Sequence, residues 1–116
     1  QVNLRAFLAV IRHCEGTAGP DGYRMLFGGE LFDSFADHPR RKVTRALKGR
    51  PITSTAAGAY QFLARTWDEC RCALNLPDFS PESQDLAAVF LIRRRGALAD
   101  VEAGRIEAAL RKCNRE

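Results

Sequence analysis

The sequence predicts an α+β fold that is mostly helical, with one small antiparallel β-sheet lobe and a cleft between the two lobes. Apolar residues recur at helical spacing in the first 15 positions and again in the second half of the chain. Between these parts, five of the nine glycines lie within positions 16–29, which favours turns and short strands. Helices and strands that are segregated along a chain are typical of α+β folds.

The first helix is predicted from Asn3, as N-cap, to Glu15. Its apolar stripe consists of Leu4, Phe7, Leu8 and Ile11. Glu15 follows Ile11 by four residues, so the carboxylate extends this stripe toward the core side. Gly16 is a usual helix stop.

The glycine-rich stretch predicts a sheet of two or three strands. Residues 23–27 and 30–35 are short, apolar and aromatic, with Gly28 and Gly29 between them. Residues 37–53 are polar and basic, and two prolines within them predict a functional loop.

Three further helices are expected. One starts at Ser54 or Thr55, ends before Pro77 and buries a face made of Tyr60, Leu63, Trp67, Cys70 and Leu74. The next starts with Ser80 as N-cap, ends at Gly96 and turns inward Leu86, Val89 and Phe90. The last spans residues 100–113, with Ile106, Leu110 and Cys113 inward.

Length and composition fit one globular domain, residues 1–116, with a net charge of +4. No apolar run is long enough to span a bilayer, and the first residues lack the order of a signal peptide. The spacing of the four cysteines fits neither a zinc site nor a disulfide framework, so core thiols are expected at Cys14 and Cys70. Neither a metal nor a cofactor is predicted.

Glu15 is the candidate catalytic residue. Partial burial and the negative end of the helix dipole both favour its protonated form, which general-acid cleavage of a glycosidic bond requires. The alternative is a helix-ending glutamate that reaches out to water. Second carboxylates for a two-acid glycosidase would come from Asp21, Glu30, Asp33 or Asp37.

The stretch 54–62 is the candidate substrate-binding segment. Small residues surround Tyr60 and Gln61 and would let a ligand approach the backbone closely. Gln61 could read an acetamido group, and Tyr60 offers an aromatic face and a hydroxyl. The alternative is a tightly packed helix start with Tyr60 in the core.

An ordered set of short motifs resembles the lambda-type endolysin family. The motifs are Cys14-Glu15-Gly16-Thr17, Gly22-Tyr23, Gly28 to Phe32, Asp37 to Arg40, Ser54-Thr55 with Gly58, Tyr60-Gln61, Trp67-Asp68, Asp78 to Pro81, Ser83 to Asp85 and Arg95 to Leu98. Each motif is weak alone, but their order covers almost the whole chain.

The resemblance implies a lysozyme-like fold and a peptidoglycan lytic transglycosylase. Glu15 would protonate the leaving oxygen and then act as base toward the muramyl C6 hydroxyl, so no second enzyme carboxylate is needed. Substrate would be bound by Tyr60, Gln61, Tyr23 and Ser54. The partner would be bacterial peptidoglycan rather than nucleic acid, met in the periplasm after the protein has waited in the host cytoplasm.

Three alternatives remain open at this point. The chain could be a hydrolytic lysozyme with a second acid, a non-catalytic glycan- or polyanion-binding fragment that uses the basic loop 40–50, or a nucleic-acid module with steep salt dependence. Family members continue past Cys113, so we expect a domain shortened at its C-terminus. A dimer could then cover the exposed surface.

Overall fold

The fold is described from a computed structural model of residues 2–113. The predicted domain ends at residues 1 and 114–116 lie outside the described residues. The helices are α1 (Val2–Glu15), a 3₁₀ helix (Gly22–Arg24), α2 (Ala64–Leu74), α3 (Pro81–Arg94), α4 (Leu98–Glu102) and α5 (Ile106–Cys113), and the strands are β1 (Val43–Leu47) and β2 (Arg50–Ser54). No described helix is long and apolar enough to cross a membrane.

The sheet is an antiparallel hairpin of β1 and β2, and it lies where the sequence predicted a loop. Lys48 and Gly49 form the turn with φ of 52° and 77°, the left-handed pair that a two-residue hairpin favours. Pro51 is tolerated because both strands of a two-stranded sheet are edges. The prediction of loop for residues 37–53 is therefore wrong over 43–53.

The predicted strands at 23–27 and 30–35 are also wrong. This stretch holds the 3₁₀ helix and only isolated bridges, such as that from Met25 to Leu31. Gly28 and Gly29 take φ of +90° and +100° and reverse the chain within five residues. Leu26 instead bridges to Ala57 in the candidate binding segment.

The helix predicted from residue 54 or 55 begins only at Ala64. Gly58 and Gln61 have φ of +85° and +51°, which a right-handed helix excludes. The Thr55 hydroxyl oxygen accepts a 3.0 Å hydrogen bond from the Ala64 backbone N–H at the helix start. The observed helix buries Trp67 and Cys70, whereas Leu63 and Leu74 are exposed.

Other boundaries were partly correct. Ser80 caps α3 by accepting from the Ser83 backbone N–H at 3.2 Å, as predicted. Asn3 lies inside α1, where its side chain donates to the Glu102 carbonyl, so it is not the N-cap. Leu86 is 58% exposed, because the buried face of α3 is formed by Ser83, Gln84, Ala87, Ala88 and Ile92. The single last helix is two, α4 and α5, separated at Gly104 with φ +80°.

The core has two parts. The larger surrounds Trp67 and Phe79, whose rings meet edge to face at 4.6 Å, and it includes Leu26, Phe32, Ala57 and Phe62. The smaller packs Phe7 of α1 against Ile92, Ala97, Val101 and Ala109. Leu8 contacts both. This packing holds α1 against the helical half of the molecule and brings its C-terminal end to the hairpin side.

Candidate active site

Glu15 is the last residue of α1, as predicted. Gly16 follows with φ +75°, and the Gly16 and Thr17 backbone N–H groups donate to the carbonyls of His13 and Arg12. These two bonds close the helix end as a Schellman motif. The chain therefore turns away directly after the carboxylate and leaves it projecting from the helix end.

Thr17 fixes this helix end to the opposite wall. Its hydroxyl is 2.5 Å from the Ala59 carbonyl oxygen and 3.2 Å from that of Arg12. The Arg12 guanidinium donates to the carbonyls of Thr17 and Gly19, at 2.8 and 2.9 Å through Nη2. Gly22 is required here, because a Cβ would lie 1.8 Å from the Thr17 oxygen. The helix end that carries Glu15 is thus held in place by these hydrogen bonds.

Two cavities flank Glu15. The first, of about 500 Å³, runs between α1, α3, α5 and the segment 60–66. The second, of about 340 Å³, is lined largely by residues 25–29, including Gly28 and Gly29. Cys14, Glu15 and Gln61 line both cavities. The carboxylate therefore lies where the two cavities meet, with space for an extended ligand on either side.

Burial of its carboxyl raises the pKa of Glu15, in the direction that the sequence predicts. The residue as a whole is nevertheless exposed, and it lines both cavities. A hydrogen bond donated to the carboxylate would favour its charged form, but no described residue donates one. This environment suits a proton donor that a ligand can reach.

Tyr60 and Gln61 lie in the first cavity beside Glu15. The Gln61 amide Nε2 donates to the carbonyls of Met25 and Gly58, at 3.0 and 2.9 Å, so its donors are used within the protein. The Tyr60 hydroxyl donates to Asp85 Oδ1 at 2.6 Å. Tyr60 therefore lines the first cavity while its hydroxyl is held by Asp85.

Tyr23 and Ser54 line neither cavity. The Tyr23 hydroxyl donates to Asp85 at 2.9 Å, and the Arg12 guanidinium lies 4.5 Å above its ring. Ser54 ends β2 and accepts from the Ala56 backbone N–H at 3.0 Å. The structure thus brings Glu15, Tyr60 and Gln61 together, while these two residues support the surrounding loops.

None of the four proposed second acids lines either cavity. Asp21 and Asp33 lie 3.7 and 3.9 Å from Arg24, and Glu30 and Asp37 pair with arginines of the basic segment. Among the described residues that line the two cavities, Glu15 is the single carboxylate.

Sequence reasoning quoted Gln84 and Asp85 of α3 in a motif but missed their supporting role. Gln84 is fully buried; its Oε1 accepts from the Ala59 N–H at 2.9 Å, and its Nε2 donates to the Tyr23 and Phe79 carbonyls. The signal in the sequence was a polar side chain on a largely apolar helix. Such a side chain needs hydrogen-bond partners when it is buried. Together the two residues tie the Tyr60 wall to α3.

His38 is a third such residue, quoted in the motif Asp37 to Arg40 but given no role from the sequence. It is buried, its Nε2 lies 2.8 Å from the Phe62 carbonyl oxygen, and its Nδ1 accepts from the Arg40 N–H. That pair of bonds places the proton on Nε2, and burial lowers the pKa of His38. The ring holds Phe62, which lines the first cavity.

All four cysteines are free thiols. Cys70 is buried, as predicted, and burial raises its pKa to about 11. Cys14 is exposed at the mouth of both cavities, so the prediction of a core thiol there is wrong. No cluster of three or more possible metal ligands occurs within residues 2–113.

Comparisons with known proteins identify the family that this chain resembles. A family model described as Endolysin matches residues 5–116. The endolysin of Escherichia phage lambda is 43% identical over 95% of this chain and 72% of its own length, and that of Escherichia phage P2 is 42% identical over 96% and 74%.

Solved structures give the same picture. Bacteriophage lambda lysozyme complexed with a chitohexasaccharide superposes with a TM-score of 0.88 at 41% identity, over 97% of this chain and 75% of that one. Lysozyme from bacteriophage lambda matches with a TM-score of 0.89 at 42% identity over the same shares. The predicted lysozyme-like α+β fold is confirmed.

Proposed function

Because this chain belongs to the endolysin family, we propose that it degrades bacterial peptidoglycan, with Glu15 as its catalytic acid. The bond cleaved is the β-1,4 link between N-acetylmuramic acid and N-acetylglucosamine. One observation carries the proposal: a carboxyl with a raised pKa lies where two cavities meet. A sugar polymer in both cavities would pass its scissile bond over that carboxyl.

The first step is proton donation. Protonated Glu15 gives its proton to the bridging oxygen as the bond from muramyl C1 to that oxygen breaks, which leaves the N-acetylglucosamine with a free hydroxyl. Positive charge develops on the muramyl C1, and the Glu15 carboxylate that has just formed would help to stabilise it.

The second step decides the reaction class. We propose that the muramyl C6 hydroxyl attacks C1, that its proton passes to the Glu15 carboxylate, and that a 1,6-anhydro ring closes. The acid is regenerated and no water is consumed. An intramolecular nucleophile needs no enzyme base beyond Glu15, and this agrees with Glu15 being the single carboxylate among the described lining residues.

Tyr60 and Gln61 would hold the sugar beside Glu15. The Tyr60 ring offers a flat apolar face to a pyranose. No described residue donates to Gln61 Oε1, so this oxygen can accept from an acetamido N–H while Nε2 stays bound to Met25 and Gly58.

Product mass tests the reaction class. Muropeptides released from purified sacculi should be lighter by one water than the products of a hydrolase, and a digest in heavy-oxygen water should leave the muramyl ends unlabelled. Labelled, hydrated ends would show a muramidase instead. Binding to sacculi with no release of muropeptides would favour the non-catalytic alternative.

Two further expectations stay predictions. The protein would remain in the host cytoplasm until the membrane is opened, and would then act on peptidoglycan in the periplasm. A dimer through an exposed apolar surface would appear as a doubled mass in light scattering.

A further inference from the structure

Residues 41–54, named here the basic hairpin, carry Arg41, Lys42, Arg45, Lys48 and Arg50 and no acid. Glu30 partly balances two of the five, at 4.0 Å from Arg41 and 3.6 Å from Arg45. Within residues 2–113, no carboxylate oxygen lies within 4.0 Å of the other three cations. The hairpin therefore presents a positive surface.

The pairing register defines which side chains share a face. Val43, Arg45 and Leu47 of β1 stand opposite Ser54, Ile52 and Arg50 of β2, so all six lie on one face, named the inner face. At its base, Val43 packs against the main core. The inner face therefore starts against the body of the protein.

The two cavities that meet at Glu15 are together named the groove. Arg45 joins the inner face to this groove. A Cβ at Gly28 would lie 2.2 Å from Arg45 Nε and 2.9 Å from its Cγ, so the arginine side chain lies directly against that glycine. Gly28 lines the second cavity together with Glu15. The inner face is thus continuous with the wall of the groove.

Beyond Arg45 the inner face is uncovered. Leu47 is 49% exposed and Ile52 is 41% exposed. Arg50 stands directly opposite Leu47, and Lys48 follows in the turn. Aliphatic side chains beside cations without a partner make a surface suited to a ligand that has both apolar groups and carboxylates.

We propose that the inner face of the basic hairpin binds the short peptides of peptidoglycan, while the glycan that carries them lies in the groove. These peptides combine alanine methyl groups with free carboxylates, so both their charge and their apolar groups match this face. The position of the face beside the second cavity favours a ligand attached to the bound glycan over a membrane or a nucleic acid. The inference rests on the proposed function and adds recognition of the peptide to it.

The test uses a charge-removing pair at the tip, Lys48→Gln with Arg50→Gln. Arg45 is left in place because it packs on Gly28. The matched control is Arg5→Gln with Arg71→Gln, which removes the same charge from two exposed positions outside both cavities. Thermal unfolding of each variant establishes that the fold is kept.

Activity is compared on sacculi and on the same glycan stripped of peptides by an amidase. The tip pair should lower kcat/KM on sacculi by about three- to tenfold relative to the control pair, as expected for two exposed charge contacts. On stripped glycan the two pairs should be equal, and added salt should shrink the difference on sacculi.

Several results would overturn the inference. An equal loss of kcat/KM on both substrates would show that the hairpin binds the glycan itself. An equal loss of kcat/KM in the control pair would show that the effect comes from net charge alone. No loss on either substrate, or a loss confined to binding of anionic vesicles or DNA, would also reject it.

The inference and the proposed function can fail separately. If the unaltered protein cuts neither substrate, the proposed function fails. Binding of soluble peptide-bearing muropeptides, followed by fluorescence anisotropy with inactive Glu15→Gln protein, would still report on the hairpin.

Discussion

The Tyr60 hydroxyl and the Asp85 carboxylate are joined by a 2.6 Å hydrogen bond across the wall of the groove. The Tyr23 hydroxyl reaches the same Oδ1 at 2.9 Å, and the two rings meet edge to face at 6.4 Å. Burial, and then the bond to Asp85, raises the pKa of Tyr60 well above its usual range. One carboxylate oxygen therefore holds two aromatic rings, of which that of Tyr60 belongs to a residue lining the first cavity with Glu15.

Asp85→Ala should loosen this wall. Removing the acceptor takes away the partner that both part-buried hydroxyls share, so we expect a loss of about 1–3 kcal/mol in the free energy of unfolding. KM should rise more than kcat falls, because Tyr60 would no longer be held against the substrate. Asp85→Asn keeps an acceptor oxygen and should cost less. Unfolding curves that are unchanged for Asp85→Ala would contradict this reading.

Glu15→Gln should remove the proton donor without harming the fold. We expect kcat to fall by about a hundredfold to ten-thousandfold, as for loss of a general acid, with binding to sacculi nearly unchanged. Asp33→Asn, at a fully exposed acid outside both cavities, is the matched control. In the unaltered protein, kcat/KM should fall as the pH rises through the raised pKa of Glu15.

The stability of Glu15→Gln shows whether its lost activity comes from the missing acid or from unfolding. The pKa of Glu15 is higher in the folded chain, so the folded state holds its proton more tightly and loses stability as the pH rises through that pKa. Glutamine cannot ionise, so the variant should be at least as stable as the unaltered protein at neutral pH. A strongly destabilised variant would make its lost activity uninformative.

His38 should make stability depend on pH below neutrality. Burial lowers its pKa in the folded chain, so the unfolded chain binds the proton more readily and stability falls as the pH drops below about 6.5. The slope from this residue is at most about 1.4 kcal/mol per pH unit. Urea unfolding at several pH values should lose this slope in His38→Gln and keep it in His13→Gln, whose histidine is exposed on α1.

Gly58 should be far less tolerant than Gly96. Both have a left-handed φ, +85° and +73°, so alanine strains each backbone by about 1 kcal/mol. At Gly58 the new Cβ would also lie 2.4 Å from Gln84 Oε1, whereas nothing lies within 4 Å at Gly96. We expect overpacking to lower the free energy of unfolding of Gly58→Ala by about 1–3 kcal/mol more. Equal melting temperatures for the two variants would show that Gln84 can move aside.

What the sequence predicted well was encoded locally. Glu15 was placed at a helix end because Ile11 lies four residues before it and Gly16 follows. Ser80 and Pro81 marked the start of α3 by their capping chemistry alone. Such signals depend on neighbours within one turn, and they survived in the folded chain.

What the sequence missed depends on contacts between distant segments. The hairpin turn at Lys48-Gly49 was obscured by Pro51, which is acceptable only because the strand is an edge. The sequence predicts helix for residues 55–63 because the bridges from Ala57 to Leu26 and Phe62 produce no periodic pattern of apolar residues. Tyr60 and Gln61 nevertheless line the groove, since the signal for them was residue type and not backbone conformation.

The hydrogen bonds of Gln84 bear on when the groove forms during folding. They join α3 to Tyr23, 61 positions earlier, and to Ala59, 25 positions earlier. Closing such long loops carries an entropic cost that local helices avoid, so contacts of this range form slowly. We expect the separate helices to appear first and the Tyr60 wall of the groove to assemble last, so that the groove would be completed only after α3 has been made and docked.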